Sequence, residues 1–597
     1  MISLDLKISP TFKRRLKPNE EADYLDTLNK AERIVCNEPQ KNNMLIVPVT
    51  SLPQNDINNT GIGNLCSKES NNFFDFAKKY WNINEIQLLP TGQYHKINGQ
   101  YHLYSGSSMD FGNHMIDIKS VVPEEDFKEL VNSNNIRDRV NYHNISDTNS
   151  LQEKLLKKLF NNLSPHMQKD FENYKNINQE RLQRKSLFSA LSTLYGNTNY
   201  KNWNKIDSNL FDNRIITETE RNKRIKEILT TNQADADFYI FKQFLAETHF
   251  KKAKSNLNNK GIKLYGDMPC GFSNDEKWAN PKAFIKDSNI GWGVPAFDFT
   301  QPEAEKLLRE KVHFYARNFD GFRVDAAWTY AEPTITNIKT NETKKCHYDD
   351  KILKIIDDEI KKVKGSNFDF NNITYEFIAV PEDFNIYDIN GLKSYIKNRK
   401  SIQTSEHLSK NWGSTDFFLK EGWNQDKFVI GAANHDSKRI IFNKKQADVL
   451  SEILHIPKIK KYGEFLNAKF AETLKAKNTM FFFMNALGMQ GQYKDNTDIL
   501  QNYTAKIPAN YEDFYQKSLQ NKEAFNPMYA IEKQFISQGL DKKEPGLFKK
   551  IKKYRKILEQ KEKSSSKTLI IIALSSITLI TASLYVIFKN KNTSQHQ

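Results

Sequence analysis

A carboxylate that closes an apolar run is a natural place to look for chemistry, because a buried strand delivers its last polar side chain to one end of a sheet. The segment DGFRVDAAW ends its apolar run at Asp325. Arg323, two residues earlier, points to the same side of an extended chain and can keep that carboxylate ionised. An ionised carboxylate in such a place is able to attack C1 of a sugar. Cleavage of a glycosidic bond with retention then needs a second carboxylic acid, ~5–5.5 Å away, to protonate the leaving oxygen. The alternative is a structural Arg–Asp pair that closes a strand, and spacing alone does not separate the two.

Two further runs end in the same way. KFVIGAANHD finishes in Asn434, His435 and Asp436, where an imidazole and a carboxylate could grip sugar hydroxyls, or where a loop-capping Asp simply stands beside a surface His. In LYGDMPCGFSNDEKWANP, Asp267 closes an apolar run and Trp278 offers either an aromatic face to a sugar ring or a core side chain.

These residues need a frame. Short apolar runs recur at 44–49, 85–90, 262–267, 320–325, 372–380 and 427–436, with helical patterns between them. Continuous apolar runs alternating with helices predict buried parallel strands, and an α/β barrel is their closed form. Such barrels present polar residues at the C-terminal ends of their strands, where the carboxylates fall. Over 147–235 the pattern changes to Leu, Lys, Asn and Gln at helical spacing, which predicts a helical insertion.

At 597 residues the chain is long enough for a barrel with appended segments. The formal charge of +16 is spread among Asn, Asp and Glu and accompanies no recognition motif, so a nucleic-acid partner is not expected. Four widely separated cysteines suggest neither a zinc site nor a disulfide scaffold, and no metal is expected. The N-terminus lacks the apolar core of a secretory signal. Residues 568–588 form an uncharged 21-residue run, long enough for a transmembrane helix across a ~30 Å hydrocarbon core. Positive charge in 546–567 (Lys549, Lys550, Lys552, Lys553, Arg555 and Lys556) outweighs that in the 589–597 tail. The expectation is a single-pass C-terminal membrane anchor with the 1–545 body on the cytoplasmic side, and a basic juxtamembrane segment that can lie on anionic headgroups.

Taken in order, VTSLPQNDINNTGIGNL, INEIQLLPTGQY, LYGDMPCGFSNDEKWANPKAFIKD, WGVPAFDF, FDGFRVDAAW and GAANHD resemble glycoside hydrolase family 77, the 4-α-glucanotransferases or amylomaltases. The resemblance spans about 44–440. It implies a (β/α)8 TIM barrel with Asp325 as nucleophile, Arg323 as its orienting partner and Asp436 as a third carboxylate that distorts and holds the sugar. Asp267, His435 and Tyr101 would line the subsite around that sugar. For the acid/base, NITYEFIAVPEDFN offers Glu376, after a short strand, or Glu382, followed by Asp383. The segment between FIKD and WGVP is shorter than in the family and lacks its Gly-Val-Pro-Pro-Asp loop. The implied activity is retaining transfer of α-1,4-glucan segments, with no cofactor. An α-glucan hydrolase of the same clan and a catalytically weakened glucan-binding protein are the rivals. Sequence fixes neither the oligomeric state nor the ratio of transfer to hydrolysis.

Overall fold

The computed structural model describes residues 16–97, 100–143, 150–348, 350–376, 400–404, 415–420, 422–437, 440–491, 493–494 and 502–560. Its centre is a parallel sheet of eight strands: β1 (Asn42–Val47), β2 (Glu85–Leu88), β3 (Lys263–Met268), β4 (Gly321–Val324), β5 (Ile373–Tyr375), β6 (Lys400–Thr404), β7 (Phe428–Gly431) and β8 (Asn478–Phe482). The sheet curls until β1 meets β8, so that each strand is hydrogen-bonded to its neighbours in sequence around the ring. The strands are short, and every residue of β2, β4, β5, β7 and β8 is buried. Burial on both faces explains why they read as continuous apolar runs rather than as alternations.

Helices cover the ring where their apolar stripes face it. Lys68–Trp81 buries Phe73, Phe74, Ala77, Tyr80 and Trp81, and its start is fixed by Ser67, whose side chain accepts the Ser70 N–H. Pro302–Asn318 follows β3, and Lys351–Lys364 follows β4. The cover is uneven. Between β6 and β7 the described residues include only the six-residue α-helix Thr415–Lys420, with a short 3₁₀ turn at Gln425–Lys427. Between β2 and β3 stands a block of helices: Leu151–Phe160, the 31-residue Pro165–Tyr195, Glu218–Thr231 and Gln233–Asn259. The last of these starts within the stretch expected as an insertion and runs on to deliver the chain to β3. A separate small core of Leu187, Phe188, Leu191, Trp203, Leu210, Ile228 and Trp278 holds the outer part of this block together. An antiparallel four-stranded sheet of Phe284–Asn289, Pro295–Phe297, Thr334–Asn337 and Thr343–Lys345 is built from the loops that leave β3 and β4. No pattern in the sequence predicts this sheet.

Two expectations are corrected here. No helix among the described residues is long and apolar enough to cross a membrane, so the single-pass anchor, the membrane localisation and the membrane as a partner are not supported. The run 568–588 lies outside the described residues. The basic stretch before it is mostly the helix Pro545–Glu559, whose interleaved apolar residues Leu547, Ile551, Tyr554 and Leu558 are buried against the body instead of lying on headgroups. Tyr554 stacks edge-on against Tyr24 of the helix Pro18–Cys36 at 5.5 Å, and both Tyr554 Oη and Lys550 Nζ donate to Asp23. The fold class is corrected accordingly. A regular (β/α)8 TIM barrel completed by a transmembrane helix is replaced by an α/β fold whose parallel sheet curls on itself under irregular helical cover.

Candidate active site

Three neighbouring strands bring the charged residues together. β3 pairs with β4 so that Asp267 faces Arg323, and β4 pairs with β5 so that Thr374 lies beside Arg323 and Tyr375 beside Val324. The contact between β4 and β5 is close enough to require the glycine of DGFR. A Cβ on Gly321 would stand 1.9 Å from the carbonyl oxygen of Asn372. The ladder continues past the strand ends: the Asp325 N–H donates to the Met268 carbonyl and the Glu376 N–H to the Val324 carbonyl, each at 3.0 Å. Asp325 and Glu376 are thereby held at equivalent positions on adjacent strands. The chain then turns sharply at Ala326, whose φ of +46° is a left-handed conformation that costs a non-glycine residue ~1–3 kcal/mol. Its N–H turns toward Glu376 Oε2 at 3.0 Å.

Arg323 is the hub. Its side chain is only 2% exposed, and its Nη1 donates to Asp267 Oδ1 at 2.7 Å and to Tyr104 Oη at 3.3 Å. Its Nη2 lies 2.9 Å from Asp325 Oδ1 and 2.7 Å from Glu376 Oε2, and 4.0 Å from Asp436 Oδ2. Two oxygens bound to one nitrogen can be no farther apart than those two short distances laid end to end. That limit on one pair of oxygens is compatible with the ~5–5.5 Å carboxyl spacing of retaining glycosidases. Exposure rises outward, from a fully buried Asp267 through Asp325 at 13% and Glu376 at 21% to Asp436 at 36%. The constellation therefore opens on solvent at the C-terminal ends of the strands.

A second layer fixes the first. Tyr104 Oη donates to Asp267 Oδ2 at 2.7 Å and lies 2.5 Å from His435 Nε2, which is itself 3.0 Å from Asp436 Oδ2. The Tyr104 and His435 rings lie nearly parallel, with an interplanar angle of 10°. Lys494 Nζ reaches Asp436 Oδ1 at 3.0 Å, and the Cys270 N–H donates to Asp325 Oδ2 at 3.2 Å. Removing the Tyr104 hydroxyl leaves a buried carboxylate oxygen and a buried imidazole short of a partner. Tyr104→Phe is expected to cost about 1–3 kcal/mol of stability, measured by urea unfolding of the whole chain.

Electrostatics divides the carboxylates. Burial raises the Glu376 pKa, and the nearby negative charges of Asp325 and Asp436 add to this against the opposing pull of Arg323 and the Ala326 N–H. Asp436 goes the other way. Although its withdrawal from water favours the neutral acid, His435, Lys494 and Arg323 together hold it well below the usual carboxylate range. Arg323 stays protonated despite burial because Asp267, Glu376 and Asp325 surround it. Glu376 is thus pushed toward carrying a proton while Asp436 is held in its charged form, a divergence of the kind that separates acid from base in a shared site.

Of the residues singled out in the sequence, Asp267, Arg323, Asp325, Glu376, His435 and Asp436 converge here. Trp278 does not: it is 2% exposed, donates from Nε1 to the Asp207 carbonyl at 2.7 Å, and packs on Phe188, Trp203 and Phe211 in the core of the helical block. Tyr101 lies in the short strand Gln100–His102 of a hairpin, but its side chain is outside the described residues, as is all of Glu382. Tyr104, Cys270 and Lys494 were not foreseen. Tyr104 stands three residues from Tyr101 in QYHLYSG, where nothing in the sequence distinguishes one tyrosine from the other. The Cys270 contribution is a backbone N–H, which no side-chain pattern reveals.

Residues 47–302 match the family model described as 4-alpha-glucanotransferase. The 4-alpha-glucanotransferase of Aquifex aeolicus is 24% identical over 331 residues, covering 49% of this chain and 62% of the relative. That of Clostridium butyricum is 23% identical, covering 47% and 61% respectively. The chain thus spans about three fifths of the length of these curated relatives. An amylomaltase from Streptococcus agalactiae, solved in complex with acarbose, superposes with a TM-score of 0.64 at 14% identity, over 82% of this chain and all of that one. The family match stops before Arg323, so the arrangement of Arg323, Asp325, Glu376 and Asp436 rests on the geometry above. The chain is thus similar in sequence to the 4-alpha-glucanotransferase family model over residues 47–302, and similar in fold to an amylomaltase over most of its length.

Proposed function

We propose that this chain is a 4-α-glucanotransferase that moves α-1,4-glucan segments between malto-oligosaccharides, or chains of glycogen or starch, by retaining double displacement. The body up to residue 545 would be the catalytic unit, with the helices of 147–235 shaping access to it. The observation that supports this most is the attachment of Asp325 and Glu376 to one nitrogen of Arg323.

In the first step an oxygen of Asp325 attacks C1 of the donor glucose while the bond from C1 to the departing O4 breaks. Glu376 gives its proton to that O4. Among the described residues the hydrogen bonds to its carboxyl, from Arg323 and Ala326, fall on Oε2, and the proton is assigned to Oε1. In the second step the resulting Glu376 carboxylate takes the proton of an acceptor 4-hydroxyl. That oxygen then attacks C1, and Asp325 departs as a carboxylate. Asp436 and His435, with Asp267 behind them, would hold the hydroxyls of the reacting sugar. The scheme requires no metal or organic cofactor, because two carboxyl groups supply both nucleophile and proton. Transfer prevails when a bound acceptor is better placed than water.

The test is incubation of the purified chain with maltotriose and separation of the products. A ladder of longer oligosaccharides is the expected result. Glucose and maltose alone would mean a hydrolase, and binding without turnover would mean a glucan-binding protein; either would overturn the proposal.

A further inference from the structure

A lysine that makes no ion pair among the described residues lies in the core behind the proposed nucleophile. The helix Pro302–Asn318 turns Ala304, Leu307, Leu308, Lys311, Val312 and Tyr315 toward the body, and Lys311 is the one charged side chain of that stripe. It is fully buried. Desolvating an ammonium costs several kcal/mol unless a counter-charge repays it. Among the described residues Lys311 makes no ion pair. Its one recorded hydrogen bond runs from Nζ to the Gly271 carbonyl at 2.8 Å, and Nζ stands 3.9 Å from the centre of the Phe272 ring. A methionine or leucine would fill this position at lower cost, so the packing of the helix does not explain the lysine.

The carbonyl it grips does. β3 ends at Met268, and after Pro269 the chain turns through Cys270, Gly271 and Phe272. The Cys270 N–H is the backbone donor to Asp325 Oδ2. On the other side, a Cβ on Gly271 would come to 3.0 Å from the Tyr104 carbonyl, so the turn is pressed between the Tyr104 segment and Asp325. Lys311 clamps this turn from behind, through the carbonyl of Gly271 and the ring of Phe272.

We propose that Lys311 is a positioning residue for the transfer reaction: by holding the Cys270–Phe272 turn it aims the Cys270 N–H at Asp325 Oδ2 and so sets the orientation in which Asp325 meets C1. The inference rests on the reading of Asp325 as nucleophile. Electrostatics agrees with the geometry. Burial pushes the Lys311 ammonium down to about 8, while Glu276, Cys270 and Asp325 pull it back up.

The experiment compares the parent chain with Lys311→Met, Lys311→Gln and Asp325→Asn in steady-state disproportionation of maltotriose. Methionine fills the space without a donor, and glutamine restores a donor without the charge. A displacement of a reacting group by about 1 Å can cost on the order of 10²-fold in rate. The expected result is that Lys311→Met lowers kcat by about 10- to 100-fold with KM within about twofold and no loss of thermal stability. Lys311→Gln is expected to recover about half, and not all, of the lost logarithm of rate. A Lys311→Met chain with parental kcat overturns the inference, as does one whose loss lies in KM, or a Lys311→Gln chain no better than Lys311→Met. If Lys311→Met does not fold, Lys311→Gln decides alone, with parental kcat counting against the inference and a folded chain of lowered kcat and unchanged KM for it. Asp325→Asn separates the two readings. Retained activity there sinks the nucleophile assignment itself, whereas an inactive Asp325→Asn beside a fully active Lys311→Met sinks only the role of Lys311.

Discussion

Asp325→Asn is expected to lower kcat for maltotriose disproportionation by about 10⁴-fold or more while the chain stays folded, because an amide oxygen is a poor nucleophile. The side chain keeps its size. Arg323 reaches Oδ1 and the Cys270 N–H reaches Oδ2, so the single amide oxygen of Asn can keep one of these two bonds, and the unfolding midpoint separates loss of chemistry from loss of the fold. Arg323 retains two buried or half-buried carboxylate partners in Asp267 and Glu376. The check is product formation from maltotriose together with the thermal unfolding midpoint. A variant that keeps more than about a hundredth of the parental rate would remove Asp325 from the nucleophile's role.

Glu376→Gln gives the second large effect, a loss of about 10²–10⁴-fold on maltotriose, the usual contribution of a positioned general acid. A general acid is needed only when the leaving group needs a proton. With a maltosyl fluoride donor, whose fluoride departs unaided, formation of the glycosyl intermediate by Glu376→Gln should approach the parental rate. The pH dependence carries the same signature. Glu376 must be protonated to act, and burial raises its pKa, so parental kcat/KM falls as the pH rises through that raised value. Because Gln does not titrate, that alkaline limb should be missing from the variant. Equal losses on both donors, with the limb retained, would mean that Glu376 only supports the site and that the acid lies elsewhere.

Much of this site was legible in the sequence, for a physical reason. A parallel strand buried on both faces must be apolar, so its first polar residues mark its end, and the ends of neighbouring strands lie side by side. Asp267, Asp325 and Asp436 were found in that way, and Arg323 by its two-residue offset from Asp325. The same logic failed for Trp278. An aromatic residue near a strand end serves equally as platform or as core, and only the fold of the helical block showed that Phe188, Trp203 and Phe211 enclose it. Tyr104 and Lys311 were beyond reach because their roles depend on what they touch. Tyr104 is one of two tyrosines in a short polar stretch, and Lys311 occupies a helical stripe where its charge is visible but its partner is not. The basic residues of 549–556 misled in the opposite direction. Read for charge they suggest a membrane surface, yet the apolar residues at helical spacing among them bind the helix Pro545–Glu559 to the body.

The central claim is that Asp325 forms a temporary bond to the sugar. The most direct measurement uses a donor that forms the intermediate faster than it releases it, a 2-fluoro-substituted glycosyl fluoride, followed by proteolysis and mass mapping of the labelled peptide. The account predicts a single glycosyl group on the peptide containing Asp325, absent from Asp325→Asn and discharged when maltose is added as acceptor. A label on any other residue, or parental turnover with no covalent adduct and an inverted product, would contradict it.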